Sequence, residues 1–206
     1  MDLVMKILGR YSLISDQVDK SELAVILQLL ITSVETHQWG SVVEFGCYTG
    51  TTSLFIRRIL DSRQEQYDFH VYDSFDGLPG KVSKDMSVVG EQFVAGELRA
   101  TKKDFVANFR KVGLTPPVIH KGWFHDLVPS DVPDQVIFAY LDGDFYESIR
   151  DSLTLITSKL VHGAYVVVDD YASEALPGAA KAFDEWARRH KLEVRSQASL
   201  GIVRFM

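Results

Sequence analysis

Cys47 is the only cysteine in a chain of 206 residues. No internal disulfide can form and no second thiol is present to complete a metal knuckle, which fits a reducing, cytoplasmic setting. Long apolar runs are missing as well. No stretch approaches the ~18 apolar residues of a membrane span, and residues 1–9 hold no signal-type apolar core of adequate length. Positive charge is in deficit, with 22 Lys and Arg against 28 Asp and Glu and a formal net charge of −6. That balance argues against a phosphate-backbone partner, so neither nucleic acid nor a membrane is expected. Internal repeats, low-complexity runs and linkers are also absent, and the length suits a single domain over residues 1–206.

What is present is an alternation of helix and strand. Leu23, Ile26, Leu27, Leu30, Ile31 and Val34 recur at helical spacing behind a possible Asp19/Glu22 capping box, inside an N-terminal helical segment over residues 1–37. Ser41-Val42-Val43-Glu44-Phe45 reads as a buried strand, closed by Gly46-Cys47-Tyr48-Thr49-Gly50 and followed by a helix from Thr51 to about Leu60. A second strand, Phe69 to Tyr72, ends at Asp73. Residues 76–103, with Gly77, Pro79, Gly80, Gly90 and Gly96, form the least regular stretch and suggest a substrate-side loop.

Beyond that loop the spacing predicts a helix over 105–112, a strand over 117–120 and a strand over 137–141. A helix from about Tyr146 to Leu160 has Ile149, Leu153, Ile156 and Leu160 on one face, and a strand over 165–168 follows. A helix from Pro177 through Trp186 and closing strands over 192–195 and 201–205 complete the pattern. It implies an α/β fold with a mostly parallel sheet covered on both faces.

Two of these strands run into carboxylates: Leu141 into Asp142-Gly143-Asp144, and Val168 into Asp169-Asp170. In a parallel sheet such ends share the crevice where open α/β folds bind ligands. No Lys or Arg stands beside either pair in sequence, so a hard divalent cation is the economical counter-charge. The turn Glu44-x-Gly46-x-x-x-Gly50 lets backbone approach a ligand ahead of a helix N-terminus. It is not the dinucleotide fingerprint, because Tyr48 and Thr51 stand where glycine is required, and the chain has no P-loop. Asp73 ends the second strand, where doubly wound folds place a carboxylate for ribose hydroxyls.

These residues resemble a family. Val43-Glu44-Phe45-Gly46, Tyr72-Asp73-Ser74-Phe75-Asp76-Gly77-Leu78-Pro79, Gly122-Trp123-Phe124, Leu141-Asp142-Gly143-Asp144-Phe145-Tyr146-Glu147-Ser148 and Val168-Asp169-Asp170-Tyr171 are similar to the class I S-adenosylmethionine (SAM) dependent methyltransferases. Within that class they resemble the macrocin O-methyltransferase (TylF-like) family of sugar O-methyltransferases. The resemblance implies a Rossmann-like fold with a seven-stranded sheet. It also implies SAM at Glu44, Gly46, Cys47, Tyr48, Gly50, Thr51, Asp73, Ser74, Gly122, Trp123, Phe124 and Asp142. Mg²⁺ or a similar ion would be held by Asp142, Asp169 and Asp170, with Asp142 as general base. The implied partner is a small-molecule hydroxyl acceptor, and a homodimer is possible. The chain departs from the family's usual first motif at Phe45, Cys47, Tyr48, Thr49 and Thr51, where contacts to the methionine carboxylate would differ.

Asp144 is the alternative third ligand. Asp142 is preferred because the first residue beyond a strand points most directly into the crevice, and Asp144 is then expected to cap the following helix with Glu147. His125 is an alternative base. A catechol-type phenolic O-methyltransferase is the nearest enzymatic alternative. A haloacid-dehalogenase-like phosphatase fits the Asp142-x-Asp144 strand, but there the nucleophile belongs to the first strand. A noncatalytic SAM-binding domain would gain nothing from clustered carboxylates.

Overall fold

The computed structural model describes residues 3–63, 66–89 and 91–206; Gly90, in the irregular loop, lies outside them. Seven strands, β1 (Ser41–Phe45), β2 (Asp68–Asp73), β3 (Val118–Lys121), β4 (Val136–Leu141), β5 (Leu160–Val168), β6 (Arg195–Gln197) and β7 (Leu200–Arg204), form one sheet in the order β3-β2-β1-β4-β5-β7-β6. β1 to β5 run parallel, and β7 runs antiparallel to both β5 and β6. This is the Rossmann-like architecture of class I methyltransferases. The order reverses between β1 and β4, so the crevice beyond their C-terminal ends is where the fold places a ligand.

Among the described residues, six α-helices pack around the sheet: α1 (Leu3–Arg10), α2 (Lys20–Thr36), α3 (Thr51–Asp61), α4 (Lys102–Lys111), α5 (Tyr146–Ile156) and α6 (Pro177–His190). The period-2 alternation of β4 divides the core. Phe138 and Tyr140 face α1, α2 and α3, whereas Ala139 and Leu141 face α5 and α6. α2 begins as its sequence requires: Asp19 Oδ1 accepts from the N–H of Ser21 and Glu22, and Glu22 Oε2 accepts from Asp19 N–H at 2.8 Å. Its Leu23, Ile26, Leu27 and Leu30 are fully buried. At about 1.5–3 kcal/mol for each such side chain, packing rather than helix propensity stabilises this element. No described helix is long and apolar enough to cross a membrane.

Several element ends shift by a few residues from the sequence reading, and three differences bear on the sheet and the site. α5 stops at Ile156, and Leu160 opens β5 instead of closing the helix. Val136 N–H bonds to the Lys159 carbonyl at 2.9 Å, so sheet pairing takes the chain where the apolar spacing would have continued a helix. β6 lies at Arg195–Gln197 rather than 192–195, because a tight turn with Ala198 at φ 54° fixes its register against Leu200. Asp144 does not cap α5. It has left-handed φ of 59°, and the N-cap is Phe145, whose side chain caps nothing.

Candidate active site

Backbone bonds running past the strand ends assemble the crevice. Gly46 N–H donates to Tyr72 O, Asp142 N–H to Phe45 O, Asp169 N–H to Leu141 O and Gly122 N–H to Asp73 O, at 2.7–3.0 Å. The glycine turn, Asp73 and both acidic pairs are thereby aligned along one edge. They border a cleft of about 400 Å³ that Gly46, Tyr48, Asp73, Ser74, Trp123, Phe124, Asp142, Asp144 and Asp170 help to line.

Gly46 (φ 85°) can only be glycine, because a Cβ there would meet the Asp142 carbonyl oxygen at 1.8 Å. Gly50 has a different reason. At φ 92° it caps α3, and a Cβ would lie 2.8 Å from the Phe105 ring, so it serves packing against α4. Asp73 ties the turn down: Oδ2 accepts from Cys47 N–H (2.8 Å) and Tyr48 N–H (3.0 Å), and Oδ1 from Phe75 N–H (2.6 Å). A carboxylate has about four acceptor sites, so the Asp73 group facing the cleft keeps capacity for another donor.

Glu44 sits beneath the turn, fully buried, and accepts from Ser53 Oγ at 2.5 Å. Burial, aided by nearby Asp73, pushes it up to about 8. A small cavity of about 20 Å³ separates it from Thr49, Thr51 and the N-terminal segment at Ser15 and Gln17. Thr51 is held by Ser15 through a 2.7 Å hydroxyl pair, whereas the buried Thr49 hydroxyl has no partner. Cys47 is buried, and desolvation followed by Asp73 and Glu44 raises its thiol well above the ordinary value.

The carboxylates that converge are Asp142, Asp144 and Asp170, with ligand atoms all within 4.8 Å of one another. This differs from the expected set of Asp142, Asp169 and Asp170. Asp169 is turned inward, where Oδ2 accepts a 2.6 Å bond from the Tyr140 hydroxyl and Oδ1 accepts from Asp170 N–H at 2.9 Å. The Tyr140 hydroxyl also approaches Asp142 Oδ2, at 3.3 Å. Burial first, then repulsion led in each case by Asp169, raises Asp142 well above the carboxylate range, Asp144 to about 7 and Asp170 to about 8. Asp169 rises only to about 6, because the Tyr140 hydrogen bond offsets part of its desolvation. An all-oxygen donor set of this kind suits a hard divalent cation.

Trp123 and Phe124 line the outer wall. The Trp123 ring stacks with His125 at a centroid distance of 6.4 Å, and Phe124 packs edge-on against Phe45 at 5.3 Å. His125 lies at the rim, its side chain 63% exposed and 3.6 Å from Asp126. Tyr140 and Ser15 were not singled out by the sequence. Tyr140 had a signal, since residues two apart on a strand share a face and Asp142 follows it by two. Ser15 had none, because its partner lies 36 residues away.

Comparison with known proteins places this geometry. Residues 17–197 match the family model described as macrocin-O-methyltransferase (TylF). The chain is similar to 8-demethyl-8-(2,3-dimethoxy-alpha-L-rhamnosyl)-tetracenomycin-C 4'-O-methyltransferase of Streptomyces olivaceus, 33% identical over 66% of this chain and 54% of that protein. It is also similar to demethyldecarbamoylnovobiocin O-methyltransferase of Streptomyces niveus, 31% identical over 77% of this chain and 61% of that protein. These matches therefore span little more than half of the relatives' length. The solved structure of the O-methyltransferase NovP superposes with a TM-score of 0.75 at 27% identity, covering 91% of this chain and 80% of that one. The chain belongs to the macrocin-O-methyltransferase (TylF) family.

Proposed function

We propose that this protein transfers a methyl group from SAM to a hydroxyl of a sugar or similar small natural-product acceptor, assisted by a divalent cation. One observation carries the reading: a glycine turn, a strand-end carboxylate and a converging carboxylate trio share a single cleft. SAM would lie with its methionine end over Gly46, Cys47 and Tyr48 beside Glu44 and Thr49, its ribose against Asp73 and Ser74, and its adenine beside Gly122, Trp123 and Phe124.

The cleft is lined by seven carboxylates and no Lys or Arg. That lining disfavours a phosphorylated acceptor and accommodates the cationic sulfonium of the donor. The relatives from Streptomyces olivaceus and Streptomyces niveus are named for O-methylation of a rhamnosyl-tetracenomycin C and of demethyldecarbamoylnovobiocin. The apolar side chains of Leu78, Pro79, Phe93 and Leu98 on the loop side offer a surface for such a scaffold.

In the reaction the acceptor oxygen attacks the methyl carbon in line. The carbon–sulfur bond breaks with its electron pair going to sulfur, and the hydroxyl proton passes to a carboxylate. Asp142 is the assigned base, because it lies on the strand end beside the glycine turn, facing donor and acceptor together. Asp142, Asp144 and Asp170 would hold the cation, which when bound lowers the pKa of neighbouring acceptor hydroxyls. Asp169 would support the trio from behind through Tyr140.

The test is incubation of the purified chain with SAM, Mg²⁺ and a panel of glycosides and catechols, with product masses read by mass spectrometry. Methylation of a sugar hydroxyl, suppressed by chelator, supports the reading. Methylation of catechols alone would move the acceptor to phenols, and full activity in excess chelator would remove the cation.

A further inference from the structure

Among the described residues, the loop between β2 and α4 contains one buried carboxylate, and neither the glycine turn nor the acidic trio uses it. Asp85 is 1% exposed. Its Oδ1 accepts from Tyr146 N–H, the first residue of α5, at 2.7 Å, and its Oδ2 accepts from Val82 N–H at 2.9 Å. The first turn of α6 comes equally close, since a Cβ on Gly178 would fall 1.8 Å from the same Oδ1. The carboxylate thus sits against two helix starts and accepts the free N–H at the start of α5.

α5 receives no cap from its own N-cap side chain, so this carboxylate, 61 residues earlier in the chain, takes that role. Neighbouring contacts fasten the same segment. Lys84 Nζ pairs with Glu185 at 2.8 Å and stands 3.8 Å from the Tyr146 ring centroid. The Tyr146 hydroxyl donates to Glu185 at 2.7 Å, and Lys181 Nζ donates to the Lys84 carbonyl at 2.6 Å.

Tyr146 follows Asp144 by two residues, at the end of the turn that carries Asp142. The loop that Asp85 belongs to also supplies Leu78, Pro79, Phe93 and Leu98 to the cleft wall. We propose that Asp85 is a positioning residue that locks the acceptor-side loop to the Asp142–Asp144 turn, so that wall and carboxylates shift as one unit. Its consequence for turnover rests on the methyltransferase reading; the mechanical coupling does not. An acceptor pressing on the loop would thereby adjust the trio, and a loosened loop would cost carboxylate alignment even with the donor bound.

Hydrogen exchange on the full chain tests this without a substrate. The Val82 and Tyr146 amides are held by the same carboxylate, so in the wild type their protection should agree within about threefold. Protection differing by more than about tenfold overturns the proposal, whether or not any variant folds. Asp85→Asn keeps the shape but turns an N–H₂ toward one of the two N–H donors. It should speed exchange at Tyr146 and across residues 78–98 by at least tenfold, with β1 and β4 unchanged and affinity for demethylated SAM within about twofold. Faster exchange confined to the loop, or no change, overturns it. In an active preparation the variant should lose kcat by at least tenfold with donor KM preserved. Failure of the wild type to transfer methyl groups at all would count against the proposed reaction and leave the exchange result standing.

Discussion

The Asp142 carbonyl oxygen occupies the place where a side chain on Gly46 would begin, 1.8 Å from the position of a Cβ. The glycine turn and the carboxylate strand are therefore in close backbone contact. Gly46→Ala adds both a clash and a left-handed backbone, and should cost on the order of 3 kcal/mol in urea unfolding. Gly80→Ala is the control. Gly80 has nothing within 4 Å of its Cβ position, so that variant should stay within about 0.5 kcal/mol of the wild type.

The inward turn of Asp169 separates two ligand sets. Titration calorimetry with Mn²⁺ should show Asp144→Asn and Asp170→Asn weakening binding at least tenfold, and Asp169→Asn weakening it less. The reverse ranking would return the cation to the Asp142, Asp169 and Asp170 set.

Much of the scaffold was legible because its signals are local. The capping box at Asp19 and Glu22, the strand at 41–45 and the helix after Gly50 need only neighbours a few residues apart. Leu160 was misread because its spacing from Ile156 fits a helix equally well, and only pairing with β4 decides. The converging set differs from the expected Asp142, Asp169 and Asp170 on the same ground. The position of Asp142 follows from strand direction, whereas the orientation of Asp169 depends on a hydroxyl from the adjacent strand, 29 residues away in sequence. Asp85 likewise carries no local mark of the helix it caps.

Asp73 links the first two strand ends through the N–H groups of Cys47 and Tyr48 and accepts a third, local bond from Phe75 N–H. Asp73→Ala leaves those donors to find water and should lower stability by about 2 kcal/mol. Affinity for SAM or its demethylated product should drop by more than tenfold by calorimetry. Unchanged affinity would remove Asp73 from the donor site.

At the β3 edge of the sheet, His70 Nδ1 and His120 Nε2 lie 3.0 Å apart on β2 and β3. Burial lowers both pKa values, with His120 adding repulsion at His70; Asp68 and Asp131 oppose the shift and Lys102 reinforces it. The unfolded chain takes up protons first, near pH 6.5, so this pair's contribution is complete above that value and is lost as pH falls toward the folded values. The raised carboxylates act in the opposite sense, so the variant comparison isolates the pair. Between about pH 7 and pH 5 the wild type should lose stability relative to His70→Gln, and parallel profiles would refute the assignment.

Cys47 gives the fold an intrinsic clock. It is the sole thiol, buried in the turn whose N–H groups Asp73 holds, and its proton is retained by desolvation. Alkylating reagents therefore reach it only when that turn opens, so labelling of the unmodified protein measures how often the glycine turn opens. Whatever occupies the pocket should slow the clock in proportion to its occupancy.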